Sequence, residues 1–367
     1  MQSFNKIIIS GGGTGGHIFP AIAIANQLKV KYPNIEILFI GALGKMEMEK
    51  VPQAGYPIKG LPIAGLQRKL TLSNFLLPFK LLKSLWMAFR IIKNFKPDAV
   101  VGVGGYASGP TLRMAVFLGI PTLIQEQNSY AGKTNKLLSK KVDVICTAYP
   151  SMEKFFPKSK IVLTGNPVRT EMVKISEKRQ EAFNFFGLDP NKKVIFVMGG
   201  SLGARTLNES VLYSISRIEE KNIQILWQSG KYYYKSLLEN KEIQQSKHIF
   251  LNEFIQKMDY AYAVADIIIS RAGALSVSEL CLVGKPCILV PSPNVAEDHQ
   301  TKNALSLVNN QAAILIKDSE AKEKLFTSAF ELMESHSMQK NMSENLLKMS
   351  FPHATENIVR QLEKIIK

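Results

Sequence analysis

Short runs of aliphatic and β-branched residues recur along this 367-residue chain, each followed by a longer stretch with helical periodicity. "KIIIS", "IEILFIG", "AVVGVGG", "PTLIQEQ" and "VDVICTA" mark the first half; "KVIFVMGG", "IQILWQSG", "HIFLNEF", "ADIIISR" and "PCILVPS" mark the second. Runs this apolar read as strands buried on both faces, and repeated strand, crossover helix, strand builds a parallel sheet covered by helices. The length exceeds what one core holds, so the pattern predicts an α/β protein of two doubly wound, Rossmann-like domains. The Asn-Pro turn in "LTGNPVRTEM" closes the first series, giving expected domains over residues 1–165 and 166–350. Ligands of such sheets bind beyond the carboxyl ends of the strands, so facing domains are expected to hold them in a cleft.

Each half opens with a glycine-rich strand-to-helix turn, "GGGTGG" from Gly11 and "GGSLGA" from Gly199. Gly11, Gly13 and Gly16 satisfy GxGxxG, the dinucleotide fingerprint. That fingerprint also needs an acid closing the second strand to hold a ribose, and "IEILFIG" ends in Ile40 and Gly41. A nicotinamide reading loses its support there. What remains is a loop whose N–H groups and helix N-terminus receive an anion, or let a bulky polar substrate pass close to the backbone.

The net charge of +16 is lopsided. Residues 1–165 hold 21 Lys and Arg against 7 Asp and Glu, the remainder 25 against 23. A basic half suits nucleic acid, an anionic membrane or a phosphorylated substrate, and charge alone does not choose. Cys146, Cys281 and Cys287 lack metal or redox spacing and fit buried thiols in a reducing compartment. The N-terminus runs almost directly into Ile7 to Ile9 without signal-peptide character, so a cytoplasmic protein is expected.

In order along the chain, "GGTGGHIFPAIAIA", "VGVGGYASGP", "QEQNSYAGKTNK", "GNPVR", "GGSLGA", "WQSGK", "EFIQKM" and "SRAGALSVSEL" resemble the successive signatures of the MurG family of glycosyltransferases. That family adds N-acetylglucosamine from UDP-N-acetylglucosamine to lipid I, making lipid II for peptidoglycan. The resemblance implies the GT-B fold, two Rossmann-like domains facing a cleft, with a C-terminal helix over 351–367 completing the first domain. It implies an inverting transferase at the cytoplasmic face of the inner membrane, bound peripherally, with other cell-wall synthesis proteins as partners. No cofactor and no metal are expected, since no Asp-x-Asp occurs in the chain. An epimerase or glycolipid synthase on the same fold would keep the donor site and change the acceptor side. A non-enzymatic binding protein is the remaining alternative.

"RAGALSVSEL" follows a strand and opens a helix, so its first N–H groups favour a diphosphate. Ser276 and Glu279 have capping-box spacing, and that local role competes with a ribose contact by the carboxylate. The resemblance assigns Ala274, Leu275, Ser276, Val277, Ser278 and Glu279 to UDP. It adds Arg169 and Ser201 as donor contacts, the Ile255 backbone as reader of uracil, and Gln300 as a sugar contact, although neighbouring Glu297 to His299 depart from the family pattern. In the first domain it assigns Thr14, Gly15, Gly16 and Asn128 to sugar. His17 has an imidazole suited to taking the proton of an attacking hydroxyl, yet a histidine at a helix start also serves as a cap or packing group. Glu126 is the second candidate base. Many family members carry histidine where this chain has Gln125.

Residues 74–96, "NFLLPFKLLKSLWMAFRIIKNFK", are strongly apolar, but Lys80, Lys83, Arg90 and Lys93 interrupt every window long enough to span a bilayer. Two readings fit: a core helix with a solvated face, or an interfacial helix resting on anionic lipid. The basic half favours the second. Aliphatic and aromatic residues accompany the cations without a nucleic-acid motif, which argues against DNA or RNA.

Overall fold

The computed structural model describes residues 5–63, 77–168, 175–295 and 298–366. It divides into two compact units, Met1–Val168 with His353–Lys367, and Arg169–Pro352.

The first unit is a seven-stranded parallel sheet of β1 (Lys6–Ser10), β2 (Glu36–Ala42), β3 (Ile58–Leu61), β4 (Ala99–Gly102), β5 (Thr122–Glu126), β6 (Val144–Thr147) and β7 (Ile161–Leu163). Their spatial order is 3-2-1-4-5-6-7, so the winding reverses between β1 and β4. Strand periodicity divides the core. Ile7 and Ile9 face a cluster with Ile24, Leu28 and Val101, while Ile8 faces one with Val100, Leu112 and Ile124. The helix Gly15–Lys31 and the chain's last helix, Ala354–Ile365, cover the first face. Ile358, Val359 and Leu362 are buried there, each contributing about 1.5–3 kcal/mol. Tyr32 donates a 2.7 Å hydrogen bond to Glu363, tying the two helices together. The helix Leu77–Phe95 lies over the other face, burying Ala88 and Ile92.

The second unit repeats the plan with β8 (Val194–Met198), β9 (Gln224–Gln228), β10 (Ile249–Asn252), β11 (Ile267–Ser270), β12 (Cys287–Leu289) and β13 (Ile314–Leu315), all parallel, in the order 10-9-8-11-12-13. Here too the winding reverses beside the first strand, between β8 and β11. The edge strands β3, β7 and β13 are two to four residues long, too short to leave an apolar run legible in the sequence. Among the described residues, no helix is long and apolar enough to cross a membrane.

Candidate active site

In the first unit the loop Gly11 to Thr14 leaves β1, and the helix begins at Gly15 with Thr14 in the cap position. Pro20 is therefore the helix's sixth residue. The loop is pressed against the one after β4. A Cβ at Gly105 would fall 2.3 Å from the Gly12 carbonyl oxygen, and one at Gly11 would fall 2.1 Å from the Val103 side chain. The glycines at 11 and 105 thus let two backbones meet at the reversal point of the sheet.

His17 is half-buried in the first helical turn. Its Nδ1 lies 3.1 Å from the Gly12 carbonyl oxygen and 3.3 Å from Thr14 Oγ1. The ring edge abuts Gly104, whose φ is +93°; a Cβ there would lie 2.9 Å from Nε2. Thr14 holds the cap position without a side-chain cap hydrogen bond, and the imidazole is placed by its contacts with the Gly12 carbonyl and Thr14. Gly15 and Gly16 follow Thr14, and Thr14 and Gly16 are exposed.

Glu126 closes β5 with 1% exposure. One carboxylate oxygen accepts from the Gly132 N–H at 2.9 Å and the Asn135 amide at 2.8 Å, the other from the Asn128 N–H at 3.1 Å. Burial raises its pKa while these bonds oppose the rise. Glu126 thereby shapes the loop that presents half-buried Asn128. Gln125, also buried, donates to Asn166 at 3.0 Å; Asn166 in turn donates to the Gln127 carbonyl, and Gln127 to the Val103 carbonyl. The glutamine at 125 is thus part of a buried amide network linking the ends of β4, β5 and the Asn-Pro turn.

Sequence reasoning missed Glu47. This carboxylate, 1% exposed, accepts from the Gly13 N–H at 2.8 Å and the Ala42 N–H at 2.9 Å. The acid absent from the end of β2 returns six residues after Gly41, at the start of the helix Glu47–Gln53, and binds the glycine loop. Its signal was the first acid of "GKMEMEK", which reads as an ordinary helix-start charge.

In the second unit the corresponding glycine device joins "GGSLGA" to "WQSGK". A Cβ at Gly230 would fall 2.0 Å from the Gly203 nitrogen, and Gly203 has a φ of +96°. Ser201 sits exposed on this loop. After β11 the helix Ala274–Val283 starts with Gly273 as cap. Ser276 is therefore inside the first turn and the capping-box alternative does not hold. Val277 is buried, Ser278 Oγ donates to the Ala274 carbonyl at 3.1 Å, and Leu275 and Ser276 are half-buried. Glu279 Oε2 accepts from Tyr262 OH at 2.8 Å.

Ile255 is buried, and its N–H donates to Gln228 Oε1 at 2.9 Å. Gln300 accepts from the Ser292 N–H at 2.8 Å, at the start of the helix His299–Val308. Arg271 binds the Val290 and Pro291 carbonyls and pairs with Asp318, bracing the ends of β11 and β12. Arg169 and Glu297 lie outside the described residues. Within each unit, every described residue singled out for binding or catalysis lies at the carboxyl edge of its sheet. Among the described residues, no group of three or more His, Cys, Asp or Glu side chains is arranged to hold a metal ion.

The glycosyltransferase family 28 N-terminal domain matches residues 7–147, and the family 28 C-terminal domain matches residues 194–358. The chain belongs to glycosyltransferase family 28. A Flavobacterium psychrophilum relative named UDP-N-acetylglucosamine--N-acetylmuramyl-(pentapeptide) pyrophosphoryl-undecaprenol N-acetylglucosamine transferase is 55% identical over 363 residues, 99% of this chain and 98% of the relative. A Cytophaga hutchinsonii protein of the same name is 56% identical over 361 residues, 98% of this chain and 97% of that one. Among solved structures, MurG of Acinetobacter baumannii matches with a TM-score of 0.78 at 32% identity, covering 98% of this chain and 99% of that chain. A UDP-GlcNAc 2-epimerase from Neisseria meningitidis, bound to UDP-GlcNAc, shares the fold with a TM-score of 0.69 at 16% identity, covering 98% of this chain and 100% of that chain. This family 28 member is a hexosyltransferase with the GT-B fold.

Proposed function

We propose that this glycosyltransferase moves N-acetylglucosamine from UDP-N-acetylglucosamine to the C4 hydroxyl of the N-acetylmuramoyl unit of lipid I, giving lipid II and UDP for peptidoglycan synthesis. The observation that carries the reading is identity above half, over nearly the full chain, with enzymes named for that transfer. Incubation with UDP-N-acetylglucosamine and a lipid I analogue, followed by product analysis, tests it; failure to form the disaccharide overturns it.

The second unit is assigned the donor. The first N–H groups of the helix Ala274–Val283 favour the diphosphate, Glu279 accepts the ribose hydroxyls, and the segment at Ile255 meets uracil. Arg169, Ser201 and Gln300 complete the set. As the glycosidic bond breaks, charge grows on UDP, and the fixed N–H dipoles oppose that growth without reorganising.

The first unit is assigned the acceptor. Thr14, Gly15, Gly16 and Asn128 bind its sugar, and His17 takes the proton of the attacking hydroxyl as the new bond forms on the face opposite the leaving UDP. Glu126, with both oxygens already accepting loop donors, acts as the organiser of the Asn128 loop and not as the base.

Membrane contact is assigned to the helix Leu77–Phe95; residues 74–76 of the segment lie outside the described residues. Ser84, Ala88 and Ile92, spaced four apart, form the narrow stripe that is fully buried. Phe79 is 70% exposed, Trp86 57% and Phe117 of the next helix 73%. The Arg90 guanidinium stands 4.9 Å from the Trp86 ring centroid, and Lys83 and Lys93 are exposed. Apolar side chains interleaved with cations suit the headgroup boundary of an anionic bilayer, where lipid I resides, and so a peripheral place on the cytoplasmic face of the inner membrane.

A further inference from the structure

We propose that Glu47 is a positioning residue for His17 and acts on it through a single peptide group. The Gly12 carbonyl and the Gly13 N–H belong to the same amide. Its N–H donates to Glu47 Oε2 at 2.8 Å, and its carbonyl oxygen lies 3.1 Å from His17 Nδ1. The other carboxylate oxygen is fixed by the Ala42 N–H at 2.9 Å, which ties Glu47 to the end of β2. A carbonyl oxygen only accepts, so a hydrogen bond between it and Nδ1 needs the proton on Nδ1, where the Thr14 hydroxyl 3.3 Å away can accept as well; in the neutral imidazole the lone pair then belongs to Nε2. An amide whose N–H is bonded to a carboxylate is polarised, and its carbonyl oxygen becomes the stronger acceptor. Glu47 therefore holds His17 in the tautomer whose Nε2 can take a proton.

The packing makes room for this arrangement on three sides. A Cβ at Gly12 would lie 2.2 Å from the Glu47 carboxylate carbon, one at Gly41 would lie 2.5 Å from Glu47 Cγ, and one at Gly104 would lie 2.9 Å from His17 Nε2. The relay amide is turned by positive φ at both of its residues, +148° at Gly12 and +86° at Gly13. Glu47 is itself 1% exposed, so it orients the imidazole and does not meet the acceptor.

The inference rests on the reading of His17 as the base, and the test separates the two. Proton-coupled ¹⁵N spectra of the wild-type protein labelled at histidine, with His17 assigned by its loss in His17→Ala, are expected to show the neutral Nδ1–H tautomer; an Nε2–H tautomer overturns the relay. Glutamine at 47 has one acceptor oxygen for two N–H donors, so Glu47→Gln is expected to mix the tautomers and lower kcat about 10- to 100-fold, with KM for UDP-N-acetylglucosamine unchanged. In a His17→Ala background the same substitution is expected to change nothing further, because the group it orients is gone. An undiminished second loss in that background means Glu47 acts on the fold alone. Near wild-type turnover of His17→Ala itself removes the base reading, and the relay with it.

Discussion

Tyr262 has no solvent exposure, and its hydroxyl donates a 2.8 Å hydrogen bond to Glu279 one turn into the helix that follows β11. A buried phenol thus aims the carboxylate that is assigned to the ribose. Glu279→Ala is expected to weaken UDP binding by at most about 1.5–3 kcal/mol for each charge-assisted bond lost. Tyr262→Phe keeps the ring and removes the aim, so a smaller loss is expected, about 0.5–1.5 kcal/mol. Titration calorimetry with UDP reads both. Unchanged affinity in a folded Glu279→Ala protein returns that residue to a structural role.

His17→Ala is expected to reduce turnover roughly 10²- to 10⁴-fold, the range for a lost general base, with little change in donor affinity. Initial rates on a lipid I analogue, beside UDP binding to the same protein, check the separation. Turnover near that of wild type would send the base role to solvent or to Glu126, whose hydrogen bonds from Asn128, Gly132 and Asn135 would then have to open.

The strands that build the sheets were legible because Ile7, Ile8 and Ile9, or Ile267, Ile268 and Ile269, are buried on both faces and must all be apolar. Close backbone approach was legible in the glycines, but not what approaches: Gly12 meets the backbone of Gly105, 93 positions away, and Gly203 meets Gly230. Glu47 was hidden for the same reason. Its partners at Gly13 and Ala42 are brought to it by the parallel pairing of β1 with β2, and a lone acid in a charged stretch carries no mark of burial. The capping-box spacing of Ser276 and Glu279 left a second reading open because spacing does not fix where a helix begins; Gly273 does.

The three cysteines give the protein a pH signature. Burial pushes the Cys146 and Cys281 thiols up to about 12, and burial together with Cys281 pushes Cys287 up as well. Unfolded thiols ionise at about 8.5, so above roughly pH 9 the unfolded chain holds fewer protons and stability falls as pH rises, by up to about 1.4 kcal/mol per unit for each group. Lys285 opposes this. Burial lowers its ammonium to about 8, so up to its ordinary value of 10.5 the unfolded chain holds the extra proton and stability rises with pH. Three groups against one predict a net fall in the urea midpoint between about pH 9 and 10.5. A flat or rising midpoint would mean that the thiols ionise in the folded protein.

Lipid I carries its sugar on a polyprenyl diphosphate held in the bilayer, and the docking surface proposed above would bring the enzyme to that headgroup plane. The helix Leu77–Phe95 turns its buried stripe of Ser84, Ala88 and Ile92 inward and leaves Phe79, Leu82 and Trp86 exposed beside Lys83, Arg90 and Lys93. Attraction of these cations to anionic lipid is worth about 1 kcal/mol each near the surface and is screened by salt. Vesicle binding is therefore expected to rise with anionic lipid content and fall with ionic strength. Replacing Lys80, Lys83, Arg90 and Lys93 by Gln is expected to reduce both vesicle binding and turnover of membrane-embedded acceptor, while turnover of a short-chain, water-soluble acceptor persists. Trp86→Ser tests the apolar half of the same surface: it is expected to weaken vesicle binding at high salt, where the cations contribute least. Equal loss on the two acceptors would place the helix's role in the fold and move the docking surface elsewhere on the first unit.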